Sequence, residues 1–247
     1  MKIKTREDIK IMKEGGEILA KILRRLSQEA KPGITTNHLE KLARELVLSY
    51  GVEPSFLGFD NYPAALCTSV NEEIVHGVPS ERILNNGDIL KLDMGVYHNG
   101  FHTDSAVTVI VGDNKDPKKT ELLRVTREVL EIGIAQARAG NTTGDIGAAI
   151  QEFVRKNGFE VIHDLVGHGI GEELHEWPQV PNFGKRGEGD KLETGMVIAI
   201  EPMVVTGNKR TKIGEDGFSY ITADKGLAAH FEHTVAVTEK GPYILTN

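Results

Sequence analysis

The stretch Lys91-Leu-Asp-Met-Gly-Val-Tyr-His-Asn-Gly-Phe-His-Thr-Asp104 places one aspartate in each of two alternating arms around a turn. His98-Asn99-Gly100 is where positive φ is cheap. Ile89 to Val96 and Phe101 to Ile110 are therefore predicted to form a hairpin closed at either His98-Asn99 or Asn99-Gly100. The first closure sets Asp93 opposite Asp104; the second sets Asp104 opposite Gly95, diagonal to Asp93. Both leave the two carboxylates on one face, because a slip of two residues preserves side-chain direction. Two such charges about 4 Å apart repel by roughly 4 kcal/mol even at an effective dielectric of about 20. The pair needs a solvated member, a shared proton or a metal, and the rest of the chain has to discriminate among these.

With 247 residues, 39% of them hydrophobic, the chain can build a substantial core as one large domain or two small ones. No apolar run approaches a membrane span, and the opening MKIKTREDIKIMKEGG lacks the apolar stretch of a secretory signal. A single cysteine excludes an intramolecular disulfide framework and fits a reducing compartment, so a cytoplasmic location is expected. The formal charge of −7 argues against nucleic acid as a specific partner.

Working outward from the hairpin, Thr5-Arg-Glu-Asp8 reads as a helix start and Lys31-Pro32-Gly33 as its stop, with apolar residues at helical spacing between them. A second helix is expected from about Thr36 to Tyr50, then β structure from Ala64 to Val111 and a polar linker from Gly112 to Lys119. The order then repeats: helices over about Pro117–Ala139 and Thr143–Asn157, followed by strands from Phe159 to Thr238. Residues 30–53 align without a gap at an offset of 107, with eight identities, from Ala30 with Ala137 to Glu53 with Glu160. The shared order gives this short alignment its weight. The expected fold class is α+β: internally duplicated helix-helix-strand units with helices covering a curved antiparallel sheet, in one domain of two halves, about 1–112 and 113–247. A site made by both halves belongs at their junction.

The second half contains Asp164-Leu-Val-Gly-His-Gly-Ile-Gly171, in which glycines flank His168 and permit close approach of a ligand. A lone loop histidine is ordinarily a surface residue. Val197-Ile-Ala-Ile-Glu201-Pro-Met and His230-Phe-Glu232-His-Thr-Val-Ala-Val each set a glutamate in an apolar strand. With Asp93 and Asp104 these make four carboxylates on strands and one imidazole. Two divalent cations neutralise four carboxylates, whereas a proton-sharing dyad leaves −3 buried. An oxygen-rich set with one imidazole suits Mn, Fe, Co or Zn, and two such ions can clamp a water whose hydroxide attacks a carbonyl.

The set Asp93, Asp104, His168, Glu201 and Glu232, with GHGIG, HEWPQVPN, IAIEPM and FEHTVAVT around it, closely resembles type I methionine aminopeptidase, of the pita-bread fold, over essentially the whole chain. The resemblance implies a dinuclear metallo-exopeptidase that removes the initiator methionine from nascent polypeptides with a small second residue. It implies that Asp93 chelates one metal, that Asp104 and Glu232 bridge both, and that His168 and Glu201 complete the other site, with Glu201 also shuttling protons. His76 and His175 match the family's two histidines that contact substrate and transition state. Phe59, Tyr62, Cys67 and Phe218, with Phe56 and Leu174, match its methionine pocket. Phe218 stands where bacterial members commonly carry tryptophan, and Phe56 and Leu174 also depart from common choices, so an apolar pocket is expected with an altered shape. His98, His102, His163, His230 and His233 are read as structural, and Trp177 as packing.

Within enzymes the rival is a proline-specific aminopeptidase or prolidase, which shares the fold and the five ligands but usually carries a further N-terminal domain; about 90 residues precede Asp93 here. A type II methionine enzyme would need an insertion between His168 and Glu232 that this spacing does not hold. A non-catalytic binding protein on the same shell would be expected to have lost ligands, and none of the five is missing. The chain is expected to act as a monomer, and a transient ribosome contact is compatible with the role although the short ends offer no dedicated module.

Overall fold

The computed structural model describes Lys2–Asn247, and its four helices begin where local side-chain chemistry dictates. Helix α1, Arg6–Glu29, is closed at its start by a reciprocal cap between Thr5 and Asp8, satisfying two N–H groups that a helix otherwise leaves bare. Helix α2, Thr36–Tyr50, is capped by Thr35 and stops at Gly51, whose φ of 67° ends it in the left-handed region. Helix α3, Pro117–Gln136, starts at the Asp116 cap with proline in the first turn. It ends a little before the expected Ala139, where the Asn141 amide donates to the Gln136 carbonyl at 2.9 Å. Helix α4, Thr143–Lys156, repeats the reciprocal cap through Thr142 and Asp145.

Every strand pairing is antiparallel. The first half centres on the hairpin of strands Ile89–His98 and Phe101–Ile110, with Glu53–Pro54 and Cys67–Val70 also paired to Ile89–His98. Asn99 and Gly100 form the turn, with φ of 47° and 93°, so the second of the two closures is realised. His98 faces Phe101, Gly95 faces Asp104 and Asp93 faces Ala106. Gly95 is required there because a Cβ would lie 2.8 Å from the Ser55 Cβ. The second half centres on Val197–Ile200 paired with His233–Thr238 and Gly167–Gly169, flanked by Glu176–Val180. It adds a strand beyond the expected end at Thr238: Gly241–Ile244 turns back onto His233–Thr238.

Each helix pair buries its apolar face on its own sheet. Leu19, Leu23, Leu39 and Val47 pack with Leu90, Leu92 and Val96 in one cluster, and Val129, Ile134, Ile146 and Ile150 pack with Ile198, Ile200 and Val235 in another. The offset of 107 recurs in the elements, since α2 and α4 start at Thr36 and Thr143 and α1 and α3 end at Glu29 and Gln136. Between the halves, strand Phe101–Ile110 meets residues 230–234 through hydroxyl bridges. The Asp104 N–H donates to Thr234 Oγ1 at 2.9 Å, the Ser105 hydroxyl donates to the Glu232 carbonyl at 2.8 Å, and the Glu232 N–H donates to the Ala106 carbonyl at 3.0 Å. This seam carries an acidic residue from each half, Asp104 and Glu232.

Candidate metal centre

Strand alternation and the seam converge five side chains, Asp93, Asp104, His168, Glu201 and Glu232, on one cavity of about 170 Å³. Asp93, Asp104 and Glu232 are only 7%, 4% and 2% exposed. One ligand atom each from Asp104, His168 and Glu232 lies within 4.8 Å of the others. Glu201, just past strand Val197–Ile200, brings Oε1 to 3.7 Å from His168 Nε2.

The fold supplies these carboxylates with few donors. Asp93 Oδ1 and Asp104 Oδ1 are buried with no hydrogen-bond partner among the described residues. Burial therefore drives the acids toward their neutral form: Asp104 is pushed up to about 7 by desolvation. Asp93 is raised by burial and then by the Asp104 charge; Glu201 and Glu232 are raised by burial and then by the neighbouring acids. A cation inverts this preference, because it favours the ionised form of every oxygen facing it. His168 is prepared for the same role. Its Nδ1–H donates to the Gly169 carbonyl at 2.9 Å, which leaves the Nε2 lone pair free. Burial, with His175 nearby, pushes its pKa down to about 3, so the ring is neutral, as a metal ligand must be. The unpaired acidic oxygens and the oriented imidazole fit a divalent ion.

Phe56, Phe59, Tyr62, Cys67, Leu174 and Phe218 also line this cavity, so every residue expected from the sequence to bind methionine shares it with the metal-ligand set. The Tyr62 ring meets Phe218 edge-on at 5.5 Å between centroids, and its hydroxyl, 2.9 Å from the Gly77 carbonyl, donates there. Phe218 is aimed by a turn in which Asp216 accepts the N–H groups of Phe218 and Ser219 at 3.0 and 2.8 Å. Buried Glu40, on α2, accepts the N–H groups of Ala65 and Leu66 at 2.9 Å each and fixes the approach to Cys67.

Two histidines stand at the mouth. His175 sets its ring centroid 4.3 Å from that of His168 and 4.9 Å from Phe59. His76 holds a left-handed φ of 60°, a strained conformation for a residue with a side chain, and its ring meets Tyr220 edge-on at 5.8 Å. Gly77 follows because a Cβ there would lie 2.4 Å from the Thr68 carbonyl. Asp60, not among the residues expected from the sequence, lines the same cavity with φ of 45°, and His230, expected to be structural, sets its Nε2 3.7 Å from Glu201 Oε2. The apolar strand pattern gave no signal for Asp60; for His230, its place two residues before Glu232 was the available hint.

The sequence profile of metallopeptidase family M24 matches residues 10–239, and the chain belongs to that family. Family membership and the geometry of the cluster agree on divalent metal use. Within the family, the chain is 46% identical over 244 residues to the methionine aminopeptidase of Clostridium perfringens, covering 99% of this chain and 98% of that one. It is 44% identical to methionine aminopeptidase 1 of Bacillus subtilis, covering 98% of each. The crystal structure of methionine aminopeptidase from Thermotoga maritima superposes with a TM-score of 0.98 at 46% identity, over 100% of this chain and 99% of that one. Prolidase from Pyrococcus furiosus superposes at 0.81 and 26% identity, over 99% of this chain but 65% of that one. The architecture is the pita-bread fold that these proteins share. No helix among the described residues is long and apolar enough to cross a membrane.

Proposed function

We propose that the chain is a methionyl aminopeptidase that hydrolyses the first peptide bond of nascent polypeptides whose second residue is small, as a cytoplasmic monomer. The observation that carries this reading is one cavity lined both by acids with partnerless buried oxygens, Asp93 and Asp104, and by aromatic and aliphatic side chains. In this reading Asp93 would serve one divalent ion, Asp104 and Glu232 would serve both, and His168 and Glu201 would serve the second; Co, Mn, Fe and Zn all suit the donor set. Bound ions supply an activated water and polarise the scissile carbonyl. The protein does the rest. The thioether of the substrate packs against Phe59, Tyr62, Cys67 and Phe218, each buried methylene contributing roughly 0.8 kcal/mol. His175 and His76, at the mouth, donate hydrogen bonds to the scissile amide and the oxygen that gains charge. Glu201 takes the proton of the attacking water and delivers it to the leaving nitrogen. The two halves, about 1–112 and 113–247, form a single catalytic domain in which neither half holds the complete ligand set.

The test is hydrolysis by metal-stripped protein reloaded with single ions. Met-Ala-Ser should be cleaved at least about 10²-fold more efficiently than Ala-Ala-Ser, because removing the thioether loses a few kcal/mol of transition-state binding. Norleucine should replace methionine, and bulky second residues should be refused. Equal rates on Met-Ala-Ser and Ala-Ala-Ser, or preference for Xaa-Pro peptides, would replace this reading with the prolidase-like one.

A further inference from the structure

His230 is buried to 1% exposure at the end of strand Ala228–His230, opposite Met203. Its backbone is pinned, with its N–H donated to Thr108 Oγ1 at 3.0 Å and its carbonyl accepting the Thr108 hydroxyl. Its ring is not: neither Nδ1 nor Nε2 has a hydrogen-bond partner among the described residues. An orphaned polar group in a core is costly, and an apolar side chain of similar volume would avoid that cost. The ring instead faces Glu201. Glu201 Oε1 lies 3.7 Å from His168 Nε2, and Glu201 Oε2 lies 3.7 Å from His230 Nε2. The two imidazoles differ in what they can offer. His168 has its proton engaged on Gly169 through Nδ1, so its Nε2 presents a lone pair. His230 has both nitrogens unengaged and can carry its proton on Nε2.

We propose that His230 is a positioning residue that donates its Nε2–H to Glu201 Oε2 and thereby turns Oε1 toward the metal ions. The inference rests on the metallopeptidase reading above. A sub-ångström rotation of either side chain brings the 3.7 Å separation to hydrogen-bond range. Metal-ligating carboxylates are commonly held by such an outer hydrogen bond, and its loss typically weakens metal binding 10–100-fold.

The experiment compares the full chain with His230→Leu and His230→Gln. Metal-stripped proteins are titrated calorimetrically with Mn(II) and Co(II), and kcat and KM are measured on Met-Ala-Ser. His230→Leu should bind metal about 10–100-fold more weakly, with kcat falling and KM within about threefold of the parent. His230→Gln keeps an N–H donor near the same oxygen and should recover most of both losses. If His230→Leu does not fold, His230→Met serves as the apolar variant. Parental metal affinity and kcat in the apolar variant, or a His230→Gln protein as impaired as it, would overturn the positioning role. A parent chain that binds no divalent ion would instead overturn the metallopeptidase reading itself.

Discussion

Replacing Asp104 by asparagine should have effects of opposite sign in the metal-free and metal-loaded protein. Without metal, burial holds the Asp104 carboxyl at about 7 in place of 3.8. The folded state therefore binds this proton more tightly than the unfolded chain, and the resulting stability is fully present below about pH 4 and is lost as pH rises through about 7. Between about pH 5 and about pH 8 the metal-free parent should lose roughly 2–3 kcal/mol from this group, or about 5–10 °C in Tm for a chain of this size. Asparagine has no such proton. Its buried amide carries a cost of about 1–3 kcal/mol, but one that does not change with pH. Thermal unfolding in excess chelator should show the Tm difference between Asp104→Asn and parent moving by about 5–10 °C in favour of the variant from about pH 5 to about pH 8. With divalent ion at about a thousand times its Kd the parent should gain about 4 kcal/mol, and the variant should lose most of that gain. Parallel pH profiles for the two metal-free proteins would refute the reasoning, since they would mean that Asp104 is stabilised as an anion by the fold alone.

His175→Ala should lower kcat by about 10²–10³ while metal content by elemental analysis stays at the parental level; loss of metal would place His175 among the ligands. Glu40→Ala leaves the buried N–H groups of Ala65 and Leu66 without their acceptor. It should destabilise the chain by roughly 2–5 kcal/mol in denaturant titration, and an unchanged midpoint would show that water replaces the carboxylate.

The sequence by itself determined what is local. The caps Thr5–Asp8 and Thr142–Asp145 announce α1 and α4 because a helix start is decided within four residues. Asn99-Gly100 announces the hairpin because few residues tolerate its two positive φ values. The GHGIG, IAIEPM and FEHTVAVT motifs carried the candidate ligands because their polar residues break apolar or glycine-rich runs, although Glu201 and Glu232 prove to stand just outside the strands expected to hold them. Register was not legible, since closure at His98-Asn99 or at Asn99-Gly100 preserves the side-chain faces. The folded chain closes at Asn99-Gly100, which sets Gly95 opposite Asp104. The burial that raises the Asp104 pKa also had no local signature: it arises where hydroxyls of strand Phe101–Ile110 stitch the two halves together. Glu40 reads in the sequence as an ordinary polar position on α2, and His230 as one more strand residue. Only pairing between distant segments sets Glu40 on the backbone of residues 65 and 66 and the His230 ring 3.7 Å from Glu201, because contacts across tens of residues leave no periodicity in the chain.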